Sequence, residues 1–221
     1  MIGPDTERVV REAAPRLKVF PLPSAVLLPG TAVPLHIFEP RYRALLKDCL
    51  DGDRVMALAD LQPGWEGNYT GRPPLRPVAC AGVVVWDEQL PDGRMNILLH
   101  GVSRVRLVEE LENDKLYREV VAEPWEERDY EGPLEELVRR AVLEVAGRLD
   151  GEVAQTLLQL AARAQGGFLA DAVAAALVTD VEARQAVLAE LQPDKRLERV
   201  LDAVEDLIAR MGAAAPRGPM N

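Results

Sequence analysis

The sequence predicts an α+β protein: a β-rich N-terminal half bent into a barrel, followed by an all-helical C-terminal bundle. Most of its seventeen prolines precede residue 133, whereas alanine and leucine dominate after it. Up to Pro124, short apolar and β-branched runs are punctuated by Gly and Pro, while beyond Pro133 apolar residues recur at helical spacing. With 221 residues, 48% apolar and 28% charged, the composition is that of a globular chain. A chain this long buries roughly 70% of its unfolded surface and needs no staples to fold.

Residues 1–16 read as a flexible, loosely attached tail with one helical turn around Glu7–Glu12. From Leu17 the text becomes strand and turn, LKVFPLPSAVLLPGTAVPLHIF, broken by Pro21, Pro23, Pro29-Gly30 and Pro34. Proline removes a ladder donor, which confines such strands to edges, ends or bulges and suits a strongly bent wall. In EPRYRALLKDCLDGD, residues Tyr42, Leu45, Leu46, Cys49 and Leu50 form the apolar stripe of a short helix, with Gly52 as its stop. RVMALAD then reads as a buried strand, and residues 62–77 as a long Gly/Pro-rich loop carrying Trp65 and Tyr69. VACAGVVVWDEQ and RMNILLHGVSRVRLVEEL are strands joined through the hairpin signal Leu90-Pro91-Asp92-Gly93. YREVVAEPWEE supplies a last strand ending near Pro124.

After Pro133, four helices are marked by Leu134 to Leu149, Val153 to Ala161, Phe168 to Leu177 and Leu197 to Met211. A further helix opens between the last two, where Thr179 and Glu182 resemble a capping box, and runs through Leu191. The short links favour antiparallel neighbours in a bundle. The expected organisation is a barrel over 17–127, a bundle over 128–212 and a disordered tail over 213–221.

Formal charge is −10, from 26 basic and 36 acidic residues, which is the wrong field for a phosphate backbone. No stretch resembles a signal peptide or a membrane span, so a cytoplasmic protein is expected. Catalytic constellations are missing. None of the four lysines follows a glycine, which removes the P-loop. Ser103 in GVSRV lacks the second glycine of a nucleophile elbow, and an odd offset separates it from His100 on a strand. Two scattered histidines (His36, His100) and two scattered cysteines (Cys49, Cys80) offer no metal-ligand spacing. No cofactor, no metal and no enzymatic activity are expected.

The run from Leu17 to Leu50 resembles the opening of the Lon protease N-terminal domain family, in its small stand-alone branch. Phe20-Pro21-Leu22, Leu28-Pro29-Gly30, Pro34-Leu35 and Ile37-Phe38-Glu39-Pro40-Arg41-Tyr42 carry the likeness. A second block, with anchors Ala81-Gly82, Pro91-Asp92-Gly93, and Gly101 with Arg104, is similar to the family's strand, hairpin and G-x-x-R stretch. A weaker likeness covers GGFLADAVAAALVTDVEARQAVLAELQPDKRLERVLDAV. The resemblance implies a PUA-like β-barrel followed by helices, and polypeptide recognition without the ATPase and serine–lysine protease modules into which Lon continues.

Within that frame Trp65 and Tyr69, in a loop where packing does not demand them, and Trp86, which ends a strand beside Asp87, are the candidate polypeptide anchors; the alternative is that all three cap the barrel. IFEPRY reads as structural: Phe38 should pack, Pro40 should start the helix, and Glu39 should pair with Arg41. The expected partners are unfolded or partly folded polypeptides, and a protease or chaperone if the helical half serves as an adaptor surface. An RNA-binding reading rests on Arg72, Arg76 and Tyr69 alone, and the acidic total opposes it; no membrane partner is expected.

Overall fold

Every second residue along five strands points into one narrow interior. The computed structural model describes residues 4–23, 25–69 and 71–214, and the chain divides into two compact units, Met1–Glu126 and Glu127–Asn221. In the first unit, α1 (Pro4–Ala13) precedes β1 (Leu17–Pro21), β2 (Ala32–Ile37), α2 (Pro40–Leu50), β3 (Val55–Ala59), β4 (Val78–Gln89), β5 (Met95–Leu111) and β6 (Arg118–Pro124). The sheet order is β2-β5-β4-β3-β1-β6, and an additional β5–β6 pairing closes β5, β4, β3, β1 and β6 into a circuit. The length of β5 makes this possible. Its residues 95–100 pair with β2 and its residues 105–111 with β6, while β4 runs along its other side. Edge strand β2 therefore lies outside the circuit.

The interior is filled by Leu17 and Val19, Val55, Ala57 and Ala59, Ala79 and Ala81, Val105, Val120 and Ala122. Alanines suit a small ring, whose interior leaves room for side chains only. Among the described residues the one parallel pairing joins β1 to β3, with Val19 opposite Ala57. All five residues of β3 are buried, as its unbroken apolar run VMALA requires. Pairing skips Val85 on β4 and Val108 on β5, and these bulges turn both side chains outward while the sheet curls.

Two glycines hold the Pro29-Gly30 turn over β5. Gly30 has φ 75° and donates its N–H to the Gly101 carbonyl at 2.8 Å; Gly101 donates to the Thr31 carbonyl at 2.8 Å. A Cβ on Gly101 would overlap the Leu28 carbonyl, so only glycine permits this approach. Arg104, three residues on, is buried, and its carbonyl accepts from the Trp125 N–H at 2.8 Å.

Residues 1–16 are not a loose tail where the structure describes them. Pro4–Ala13 is helix, a 3-10 turn spans Ala14–Arg16, and Val10 is fully buried in the core cluster of the strand circuit. Its apolar side, Val9, Val10 and Ala13, is too short to stand out as a periodic stripe in an otherwise charged segment.

The second unit holds α3 (Pro133–Ala146), α4 (Gly151–Arg163), α5 (Gly166–Leu177), α6 (Val181–Ala189) and α7 (Pro193–Ala214). Val138, Val142 and Val145 of α3, Leu169 and Val173 of α5, and Leu197, Val200 and Val204 of α7 are buried. Arg196 is fully buried, with Nε 3.7 Å from Asp171 and an ion pair to Glu127. A Cβ at Gly167 would meet the Arg196 guanidinium and the Glu127 carboxylate, so both side chains lie close against this glycine. Asp180, rather than Thr179, caps α6, accepting from the Ala183 N–H at 2.7 Å. The tail expected over 213–221 lies largely outside the described residues, of which α7 occupies the last.

Candidate functional site

The IFEPRY turn carries aromatic contacts on two sides, Tyr42 with Phe20 and Phe38 with His36. Pro40 is the first residue of α2, and the Glu39 carbonyl accepts from the Tyr42 and Arg43 N–H groups at 3.0 and 2.9 Å. Glu39 and Arg41 form the expected pair, Oε2 to Nε 3.0 Å. The Arg41 guanidinium lies 4.5 Å from the Tyr42 ring centre and 4.9 Å from that of Tyr69. Tyr69 donates its hydroxyl to Glu39 Oε1 at 3.2 Å, and its ring meets Trp65 edge-on at 5.6 Å. Tyr42 stacks obliquely on Phe20 at 4.3 Å; burial raises its phenol above the ordinary range, and its hydroxyl donates to the Pro21 carbonyl at 3.4 Å. Two expected anchors, Trp65 and Tyr69, are thus brought together and tied to IFEPRY, each half-buried.

Trp86 shares no aromatic pairing with them among the described residues. It lies on β4, opposite Leu98 of β5, which is in turn opposite Pro34 of β2. The next row runs Glu88, Asn96, His36, and its hydrogen bonds show that these side chains share a face. His36 Nδ1 donates to Asn96 Oδ1 at 2.7 Å, and Asn96 Nδ2 donates to Glu88 Oε2 at 3.1 Å. Since successive even residues of a strand project alike, Trp86, Leu98 and Pro34 form an outward apolar row on that face.

Phe38 does not pack as IFEPRY was expected to make it. It is 59% exposed and stacks on His36 with ring centres 6.1 Å apart. Alternation explains this: Leu35 and Ile37 turn inward, leaving Pro34, His36 and Phe38 outside. Trp86 is likewise 50% exposed.

Comparison with known proteins bears directly on this unit. A family model described as the ATP-dependent protease La (LON) substrate-binding domain matches residues 16–206. The chain belongs to this family. It is 31% identical over 194 residues to Lon protease 4 of Sorangium cellulosum, covering 85% of this chain and 24% of that protein. Against Lon protease 1 of Myxococcus xanthus it is 26% identical over 210 residues, covering 92% of this chain and 26% of the relative. It thus spans about a quarter of the length of these Lon relatives. Two solved structures are similar in fold. The N-terminal domain of Mycobacterium avium complex Lon protease has a TM-score of 0.67 at 16% identity, over 86% of this chain and 98% of that one. The Lon N-terminal domain protein of Xanthomonas campestris has a TM-score of 0.64 at 25% identity, over 85% and 97%.

Membership in the Lon substrate-binding domain family directs attention to exposed apolar surface on the strand unit. The sequence reading did not single out Pro34 or Leu98 as site residues, and it took Phe38 as a packing residue. The alternation of PLHIF could have exposed Pro34 and Phe38, but Leu98 joins them only through strand register. Among the described residues, no helix is long and apolar enough to cross a membrane, and no three His, Cys, Asp or Glu side chains group as metal ligands.

Proposed function

We propose that this chain is a non-catalytic polypeptide-recognition module, which holds unfolded or partly folded chains on the outer face of its strand unit. The observation that carries the reading is the apolar row Trp86–Leu98–Pro34, which ends at edge strand β2 beside exposed Phe38. An extended client with alternate apolar side chains meets such a face with repeated contacts, each worth about 25 cal/mol per Å² of apolar surface covered. Trp65 and Tyr69 supply a second, more rigid contact, because Arg41 and Glu39 hold Tyr69, whose ring meets that of Trp65. The closed strand circuit supports the PUA-like description. The RNA reading draws less support, since Arg76 is committed to Asp60 at 2.6 Å and the formal charge is −10.

The test is fluorescence anisotropy of a labelled, permanently unfolded polypeptide titrated with this protein at low and high salt. Saturable binding that survives salt and weakens at least tenfold in Trp86→Ser is the expected result. Absence of saturable binding at either salt sinks the recognition reading and favours an adaptor that acts through its helical half.

A further inference from the structure

Arg41 also lines a cleft of about 340 Å³ in the strand unit. Among the described residues its wall carries four cationic side chains, Arg41, Arg72, Lys115 and Arg118, and no carboxylate. The acids that hold these cations are not part of the wall. Glu39 takes Arg41 at 3.0 Å, Glu110 takes Arg72 at 3.3 Å as well as Arg118, and Asp48 takes Lys115 at 3.0 Å. A wall of one sign is unexpected on a chain of formal charge −10. Donor capacity is also left over. Among the described residues exposed Arg72 is held by contacts of 3.3 and 3.5 Å alone, and Lys115 is half-exposed. Beside these donors stand Pro21 and Leu116, the latter 68% exposed.

We propose that this cleft takes the C-terminal carboxylate of a polypeptide, with the last side chain laid against Leu116. The inference rests on the polypeptide-recognition reading and names the part of the client that enters here. A terminal carboxylate carries its charge on the backbone, next to its own side chain, so one residue satisfies the cations and the apolar neighbour together. Arginine forks bind carboxylates through two parallel charge-assisted hydrogen bonds, which gives direction as well as affinity. A nucleic-acid strand instead needs a track of cations along its backbone, whereas these four converge on a single cleft.

The test uses the full chain and three labelled peptides of one apolar sequence: a free C-terminal acid, its C-terminal amide, and an amide with an internal Glu. The permanently unfolded polypeptide and a single-stranded oligonucleotide serve as competitors. The free acid is expected to bind about tenfold more tightly than the amide, a margin typical of one charge-assisted contact. That margin should vanish in Arg72→Gln, an exposed position where folding is not at stake, and in Lys115→Gln. Equal binding of acid and amide overturns the inference while leaving polypeptide recognition standing. Equal binding of the internal-Glu amide and the free acid overturns the assignment to a chain terminus. Displacement by the oligonucleotide but not by the unfolded polypeptide reassigns the cleft to phosphate and overturns it too. Failure of every peptide and of the unfolded polypeptide overturns both readings.

Discussion

Arg41 and Tyr69 are joined twice: the guanidinium lies 4.9 Å from the ring centre, and Nη1 donates to the Tyr69 carbonyl at 3.4 Å. The residues are 28 apart in sequence, so this contact ties the loop that follows β3 to the first turn of α2. Replacing Arg41 by Ala removes the cation from both tyrosine rings and releases Glu39. A loss of about 1–2 kcal/mol is expected in urea unfolding, together with faster proteolytic cutting within residues 62–77. Arg41→Lys should recover little, because a tetrahedral ammonium, unlike the planar guanidinium, cannot lie flat on a ring while bonding sideways.

Trp86→Ser and Phe38→Ser are expected to separate binding from stability. Both side chains are mostly in water, so unfolding midpoints should move by no more than about 0.5 kcal/mol. Client affinity should nevertheless fall in each and fall further in the double variant. A large loss of stability in either single variant would show that the side chain packs rather than binds.

Gly101→Ala tests the turn that rides over β5. The added methyl must displace the Leu28 carbonyl, breaking the exchange of hydrogen bonds among Gly30, Thr31 and Gly101. A cost of about 1–3 kcal/mol is expected from overpacking, seen as a lower Tm by calorimetry. Gly67→Ala, at a position with open space around it, is the matched control.

Tyr117 and Asp48 set a pH window. The Tyr117 hydroxyl donates to Asp48 Oδ2 at 2.6 Å, and Lys115 reaches both. Hydrogen bonds from Tyr117 and Lys115 lower the Asp48 carboxyl below its ordinary 3.8. Its contribution to stability is therefore present above that value and lost as pH falls through the lowered one. Burial, and then the bond to Asp48, push Tyr117 up to about 12 from 10.0. Its contribution is present below 10.0 and lost as pH rises toward about 12. Tyr117→Phe should flatten both limbs of the stability–pH profile, measured by urea unfolding, and no flattening at either end would contradict the bond.

In the helical unit, Arg196→Met leaves Asp171 buried without its cation. Stripping one partner from a buried ion pair costs about 3–5 kcal/mol, and thermal unfolding should show it. The pair replacement Arg196→Met with Asp171→Leu should recover much of that loss, since it removes the buried carboxylate and leaves Glu127 half-exposed, where water solvates it.

Most strands and helices were legible because their signals are local. β4 matches VACAGVVVWDEQ residue for residue, and α2 carries the apolar stripe read from Tyr42 to Leu50. Proline at the start of α2 and α3 marks helix entry for the same reason, as its missing N–H costs nothing there. α1 was illegible because Val9, Val10 and Ala13 amount to a single short apolar side, which only the barrel end makes meaningful. Phe38 was misjudged for a related reason: its apolar character argued for packing, while the strand's alternation turned it out to solvent.

The candidate site divides the same way. Residue identity and period determined which side chains belong to which face of an element, and a resemblance in IFEPRY pointed to the Lon substrate-binding domain family, whose model matches residues 16–206. Tertiary structure alone decided which faces meet. Strand register aligned Trp86, Leu98 and Pro34 across three strands, loop closure set Tyr69 against Arg41, and the fold turned four separate cations toward one cleft. Periodicity along a chain reports the direction of a side chain relative to its own backbone, whereas a binding surface depends on the register between segments, which long-range hydrogen bonds and burial select.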